Sequence, residues 1–181
     1  MTLLASTLIL GGARSGKSRH AEDLVIGSGL AAYYIATATA GDGEMAERIA
    51  QHRDRRGPAW TTIEEPLDLG AALRDAAGRK RAVLVDCLTL WLSNLIFAER
   101  DIEAESAALC GLLGELPGPV VLVSNEVGLG LVPETPLGRR FRDAQGRLNQ
   151  AVAAAIPRVV FVAAGLPLIL KTPQTTPLEP S

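Results

Sequence analysis

Eight consecutive residues constrain this chain more than any others: Gly11, Gly12, Ala13, Arg14, Ser15, Gly16, Lys17 and Ser18, spaced G-x-x-x-x-G-K-S. The apolar run Leu3 to Leu10 ahead of them reads as a strand. The residues behind them read as a helix that turns Ala21, Leu24 and Val25 inward and ends near Gly27, Ser28 and Gly29. A strand, a glycine-rich turn and a helix N-terminus in that order aim successive backbone N–H groups, and the positive end of the helix dipole, at one point. That point suits a phosphate. Lys17 can reach the β- and γ-phosphates of a nucleotide, and the Ser18 hydroxyl can ligate Mg²⁺. The pattern alone is short, so the flanking strand and helix carry much of its meaning.

The remaining apolar runs extend the same plan. Ala32 to Ala36, Ala82 to Val85, Val120 to Val123 and Val159 to Val162 read as buried strands. Between them lie helical patterns from Asp42 to just before Gly57, from Pro66 to about Ala77, and from Leu90 to Glu99. Two more run from Glu103 to Leu113 and from Leu137 to Ala155. Alternation of this kind predicts an α/β P-loop NTPase with a mostly parallel central sheet flanked by helices. Residues 1–171 read as a single domain, and 172–181, with three prolines, as a disordered tail.

Composition bounds the partners. The 181 residues are 48% hydrophobic and 21% charged, with a net charge of −2, so no general field draws the chain to nucleic acid or to an anionic membrane. No aromatic and basic stretch suits single-stranded nucleic acid, and no apolar run approaches the ~20 residues of a membrane span. Cys87 and Cys110 stand apart without metal-ligand spacing and read as reduced thiols. The apolar start lacks a basic region and a cleavage site, so a cytoplasmic protein is expected.

Three further features bear on chemistry. Asp86 ends the strand that begins at Ala82, where an acid can partner the Mg²⁺ of the loop or cap the segment that starts at Leu88. His52 follows Met45 and Ile49 at helical spacing, with Arg48, Arg53, Arg55 and Arg56 around it. A neutral imidazole beside phosphate-binding arginines can attack phosphorus. From chemistry alone, a partly buried helix histidine with a solvated arginine face is the simpler account. His20 reads as a neighbour of the loop. Finally, Ser124, Asn125 and Glu126 leave a buried strand into a glycine-rich loop. The helix after it, with Arg139, Arg140, Arg142, Asp143, Asn149 and Gln150, reads as a solvated face.

Taken together these residues resemble one family, the bifunctional adenosylcobinamide kinase/adenosylcobinamide-phosphate guanylyltransferases. The resemblance covers Gly11 to Glu22, Tyr34 to Thr37, Glu44 and Met45 with Arg48, Ile49 and His52, and Asp86 to Thr89. Its most specific part is Asn125 to Gly128, Gly130 and Val132 to Glu134, followed by Phe141 to Asp143, Gly146, Asn149 and Gln150. Gly165, Leu170 and Lys171 close it. The resemblance implies a RecA-like P-loop sheet and a homotrimer. It implies phosphorylation of adenosylcobinamide by ATP or GTP, then transfer of GMP from GTP to that phosphate through a GMP-histidine intermediate. The matching histidine is His52, which the resemblance makes the nucleophile beside the catalytic Lys17. It further implies nucleotide contacts at Ala36, Thr37, Ala38, Arg53, Asp54, Arg55, Arg56, Glu64 and Asp86, with Mg²⁺ held by Ser18 and Asp86. A small-alcohol kinase would share the loop without needing His52. A GTP switch is disfavoured, because no N/T-K-x-D motif is present.

Overall fold

The computed structural model describes residues 4–38 and 57–173. Its elements run β1 (Thr7–Gly11), α1 (Lys17–Gly27), β2 (Ala31–Ala36), a 3-10 turn (Gly57–Ala59), β3 (Trp60–Glu64), α2 (Leu69–Ala76) and β4 (Arg81–Asp86). They continue with α3 (Leu88–Phe97), α4 (Ile102–Leu113), β5 (Val120–Asn125), α5 (Pro136–Ala155), β6 (Arg158–Ala163) and β7 (Leu166–Lys171). The helix expected from Asp42 to before Gly57 lies outside the described residues, as does most of the tail beyond Lys171.

The strands form one sheet in the order β3-β2-β4-β5-β1-β6-β7, parallel throughout except for β7, which runs antiparallel to β6. Side-chain alternation along each strand divides the core in two. Leu8 and Leu10, Val83 and Val85, and Val120 and Leu122 face α2 to α5, where they meet Leu73, Trp91, Leu92, Leu112, Leu148 and Val152. Ile9, Leu84, Val121 and Val123 face the other way, onto Ala21 and Val25 of α1. Strands buried on both faces have no polar side to show, which is why these segments read as continuous apolar runs.

Local chemistry fixes where the elements start. Thr135 accepts from the Gly138 N–H ahead of α5, with Pro136 in its first turn, and Asp101 accepts from the Glu103 and Ala104 N–H groups ahead of α4. The helix expected from Pro66 starts instead at Leu69, because the Glu65 carboxylate takes the Leu67 and Asp68 N–H groups at 2.9 and 2.8 Å and holds that turn open. The first strand starts at Thr7, after the Ser6 hydroxyl accepts from the Val120 N–H at 3.0 Å in place of a ladder bond.

Two strands were not anticipated. β3 is an edge strand of mixed polarity, paired to β2 and pinned by the Trp60 ring meeting Tyr34 edge-on at 5.8 Å. β7 folds back on β6 through a two-residue turn, Ala164 and Gly165, both at positive φ (52° and 79°). Two central residues of that hand match the twist of a hairpin.

Leu122 is fully buried in the larger half of the core. Leu122→Ala is expected to cost about 2–5 kcal/mol, measured as a lower urea midpoint at unchanged slope.

Candidate active site

The loop that follows β1 is shaped by close backbone approach. A side chain at Gly11 would put its Cβ 2.5 Å from the Val162 carbonyl oxygen and 2.6 Å from Ser15 Oγ. Gly16, at φ 96°, sits immediately before α1 in a left-handed conformation that its missing side chain permits. Arg14 also takes positive φ, 55°, and Ala13 and Arg14 stand exposed at the crest. The β6–β7 turn braces the loop from one side: the Gly165 N–H donates to the Ser15 carbonyl at 2.8 Å. Gly12 and Ser18 are half-buried, and the buried Ser15 hydroxyl has no hydrogen-bond partner among the described residues.

Lys17 is the first residue of α1 and is largely buried. Its Nζ donates to the Gly12 carbonyl at 3.0 Å, so the ammonium lies folded back over the loop. Burial pushes its pKa below the usual lysine value, against the opposing pull of Cys87 and Asp86. A cation held at a desolvation cost gains more from an incoming phosphate than one already in water.

The strand order brings four other tips to the same edge of the sheet. Ala36 pairs in register with Asp86 and with Glu64, and Gly11 with Asn125. Asp86 Oδ2 accepts a hydrogen bond from the Tyr34 hydroxyl at 3.1 Å. Thr37 ties two of these tips together. Its hydroxyl donates to the Cys87 carbonyl at 2.7 Å and accepts from the Cys87 N–H at 2.8 Å, while its own carbonyl takes Asn94 Nδ2 at 2.8 Å. The Thr37 side chain is wholly buried in this clamp, leaving Ala36 and Ala38, both half-buried, as the accessible part of that stretch. Glu64 stands exposed at the outer strand. Ser18 and Asp86 offer hard oxygen donors of the type Mg²⁺ takes beside nucleotide phosphates.

Cys87, next to Asp86, is buried, and its thiol is pushed up to about 11 by burial and by the neighbouring carboxylate. It behaves as packing and not as a nucleophile. His20, on the first turns of α1, is held below the usual histidine range by burial and by Arg158. Its charged neighbours are Arg158, at the start of β6, and Asp23, further along α1.

The exit of β5 is fixed by a buried polar network that the sequence reading missed. Gln145 Nε2 donates to Ser124 Oγ and Asn149 Oδ1 at 2.9 and 3.0 Å, and Ser124 Oγ donates to Asn149 Oδ1 at 2.6 Å. Asn149 Nδ2 then donates to the Asn125 carbonyl at 3.1 Å. From α3, the Thr89 hydroxyl accepts the Asn125 N–H at 2.8 Å, and the Glu126 N–H reaches the Gly11 carbonyl at 3.1 Å. The expectation of a solvated face at Asn149 is therefore corrected: Gln145, Leu148, Asn149 and Val152 form one inward stripe, while Gln150 and Arg147 stay outside. That i, i+3, i+4, i+7 spacing was the available signal. Arg139 spends its guanidinium on the Pro133 and Glu134 carbonyls at 3.0 and 2.7 Å. His52, Arg53, Asp54, Arg55 and Arg56 lie outside the described residues.

A glycine-rich loop between β1 and α1, with an acid ending a neighbouring parallel strand, defines a P-loop protein of RecA-like fold. The flagellar accessory protein FlaH of Methanocaldococcus jannaschii shares that fold at a TM-score of 0.55 and 12% identity, over 97% of this chain and 83% of that one. The particular family is set by sequence. Residues 7–170 match the family described as cobinamide kinase / cobinamide phosphate guanyltransferase, and the chain belongs to it. It is 58% identical over 166 residues to the bifunctional adenosylcobalamin biosynthesis protein CobP of Pseudomonas aeruginosa, covering 91% of this chain and 96% of that protein. To the Escherichia coli K12 protein CobU, of the same description, it is 41% identical over 179 residues, covering 91% and 98%. The chain is thus an enzyme of the transferase class.

Removing the buried cation separates binding from stability. Lys17→Met is expected to weaken nucleotide binding by at least about 10²-fold in calorimetric titration, since a charge-assisted phosphate contact is lost. The free protein should melt no lower than wild type, because the variant no longer desolvates an ammonium.

Proposed function

We propose that this protein phosphorylates adenosylcobinamide with ATP or GTP and then transfers GMP from GTP to the resulting phosphate, giving adenosylcobinamide-GDP. One domain spanning residues 1–171 would carry both reactions. The observation that carries this reading is the convergence of the glycine loop, Lys17 and Asp86 at one sheet edge, in a chain whose family match spans residues 7–170.

In the kinase reaction the substrate hydroxyl attacks the γ-phosphorus, a phosphoryl group passes to it, and the nucleoside diphosphate leaves. The loop N–H groups hold the phosphates, and Lys17 leaves its Gly12 contact to stabilise charge building on the transferring group. Ser18 through its hydroxyl and Asp86 through its carboxylate would hold Mg²⁺, which supplies charge neutralisation at the phosphates. In the transferase reaction His52 attacks the α-phosphorus of GTP and pyrophosphate leaves. A substrate phosphate oxygen then displaces the imidazole, which returns unchanged. Ala36, Thr37, Ala38, Arg53, Asp54, Arg55, Arg56 and Glu64 would line the nucleotide.

Incubation with Mg²⁺ and GTP radiolabelled at the α-phosphate, followed by denaturing electrophoresis, tests the covalent step. An acid-labile, base-stable label absent from His52→Asn is the expected result. GTP binding without any label would sink guanylyl transfer through His52 and leave a kinase.

We read the assembly as a cytoplasmic homotrimer of subunits that bind no nucleic acid. No described helix is long and apolar enough to cross a membrane. Apolar surface supports the association: Leu129, Leu131 and Val132 are 80%, 96% and 64% exposed, and the edge strand β7 exposes Leu166, Leu168, Ile169 and Leu170. An apolar edge of this kind calls for cover. Leu131→Asp is expected to shift the sedimenting mass toward the 19.0 kDa monomer without lowering the helix content; an unchanged mass would move the interface elsewhere.

A further inference from the structure

Asn125 is held in an unusual way. Its backbone N–H is taken by the Thr89 hydroxyl of α3 and its carbonyl by the Asn149 carboxamide of α5, so two helices fix its main chain. Its side chain has no such anchor. Asn125 Oδ1 is buried and has no hydrogen-bond partner among the described residues. A buried carboxamide oxygen left unpaired costs free energy, and rigid support around it removes the chance to relax.

Strand periodicity says where that side chain lies. Along β5, Val121 and Val123 face α1, while Ser124 faces α5 through its bonds to Gln145 and Asn149. Asn125 therefore returns to the α1 side, the side of Lys17. On β4, Leu84 faces α1 as well, and Asp86 follows it at the same phase. Because β5 lies between β4 and β1, Asn125 stands between Asp86 and the glycine loop, level with Gly11. A nucleotide whose other phosphates occupied the loop would place its terminal phosphoryl group toward that interval.

We propose that the Asn125 carboxamide is a further catalytic residue of phosphoryl transfer, its NH₂ donating to the terminal phosphoryl group and its Oδ1 accepting from the incoming substrate hydroxyl. The inference rests on the kinase half of the function proposed above. A carboxamide carries two donors and an acceptor on one rigid plane, so it can bridge an anion and a hydroxyl. A carboxylate in its place would repel the phosphoryl group. Reaction requires the hydroxyl oxygen about 3–3.5 Å from phosphorus and in line, and a group that touches both partners sets that geometry. No proton leaves or reaches Asn125; it orients, and as the new O–P bond forms and the nucleoside diphosphate leaves, the hydroxyl proton passes to an oxygen of the transferred phosphoryl group.

Asn125→Ala and Asn125→Asp test this in the full-length protein. Asn125→Ala is expected to melt no lower than wild type, since it removes an unpaired polar atom, and to bind ADP within a few-fold of wild type. It should lose most of the extra affinity that ADP gains with aluminium fluoride, which mimics the transferring phosphoryl group. Its kcat for phosphorylating adenosylcobinamide should fall about 10²-fold, and Asn125→Asp should fall further. Equal fluoroaluminate gain in Asn125→Ala and wild type would overturn the proposal. So would a lowered melting temperature with ADP affinity lost in proportion, which marks a structural role. Failure of the wild-type protein to phosphorylate adenosylcobinamide, with the fluoroaluminate difference intact, would instead overturn the substrate and leave Asn125 in its place.

Discussion

The site depends on one steric constraint, the absence of a side chain where the chain leaves β1. At Gly11 the backbone passes so close to the Val162 carbonyl and the Ser15 hydroxyl that no Cβ fits. The approach lets the loop turn back tightly enough for α1 to begin at Lys17, with its N–H groups facing the same point as the loop. It also leaves the Gly11 carbonyl free to receive the Glu126 N–H, which locks the exit of β5 to the loop. On the far side the β6–β7 turn holds Ser15, with Gly165 Cα only 3.1 Å from where a Gly16 Cβ would stand. Three strand exits are thus braced against one turn.

The carboxyl edge of the sheet is where the apolar logic of the core stops. Within the sheet, most side chains are apolar and are buried by packing. At the edge, Thr37, Ser124, Gln145 and Asn149 are buried as polar groups, and each is placed by hydrogen bonds from another element. Packing by itself tolerates small shifts, whereas hydrogen bonds fail over a few tenths of an ångström. A site that must hold phosphates to such tolerance is built from the second kind of contact. The desolvated ammonium of Lys17 and the unpaired oxygens of Ser15 and Asn125 belong to the same region and are the groups a ligand would satisfy.

How much of this could be read from the sequence follows from the range of each interaction. The glycine loop, the five strands between β3 and β7 and Asp86 at the tip of β4 were legible, because a buried apolar strand and a loop motif are local patterns. β3 was not, since Trp60 to Glu64 mixes polar and apolar residues and owes its pairing to β2. β7 was hidden by Pro167 in its second position, which an antiparallel edge strand can hold but a central one cannot. The side chain of Thr37, expected as a nucleotide contact, is engaged by Cys87, and Asn149 was noticed on a helix face that is buried. Their partners lie 50 and 25 residues away, and no window along the chain contains both ends.

The same distances bear on how two reactions could share one loop. Phosphoryl transfer needs the β5 exit held still, and the Ser124, Gln145 and Asn149 network supplies that rigidity from α5. Guanylyl transfer as proposed would ask for attack two phosphates further along the nucleotide, at the α-phosphorus, by His52. In the proposed function the rigid edge would anchor the phosphates for both reactions, and the choice between them would pass to whatever is presented to the nucleotide, a hydroxyl beside Asn125 or the imidazole of His52. Division of labour of this kind would let one anchored phosphate chain serve two attacking groups without a second nucleotide site.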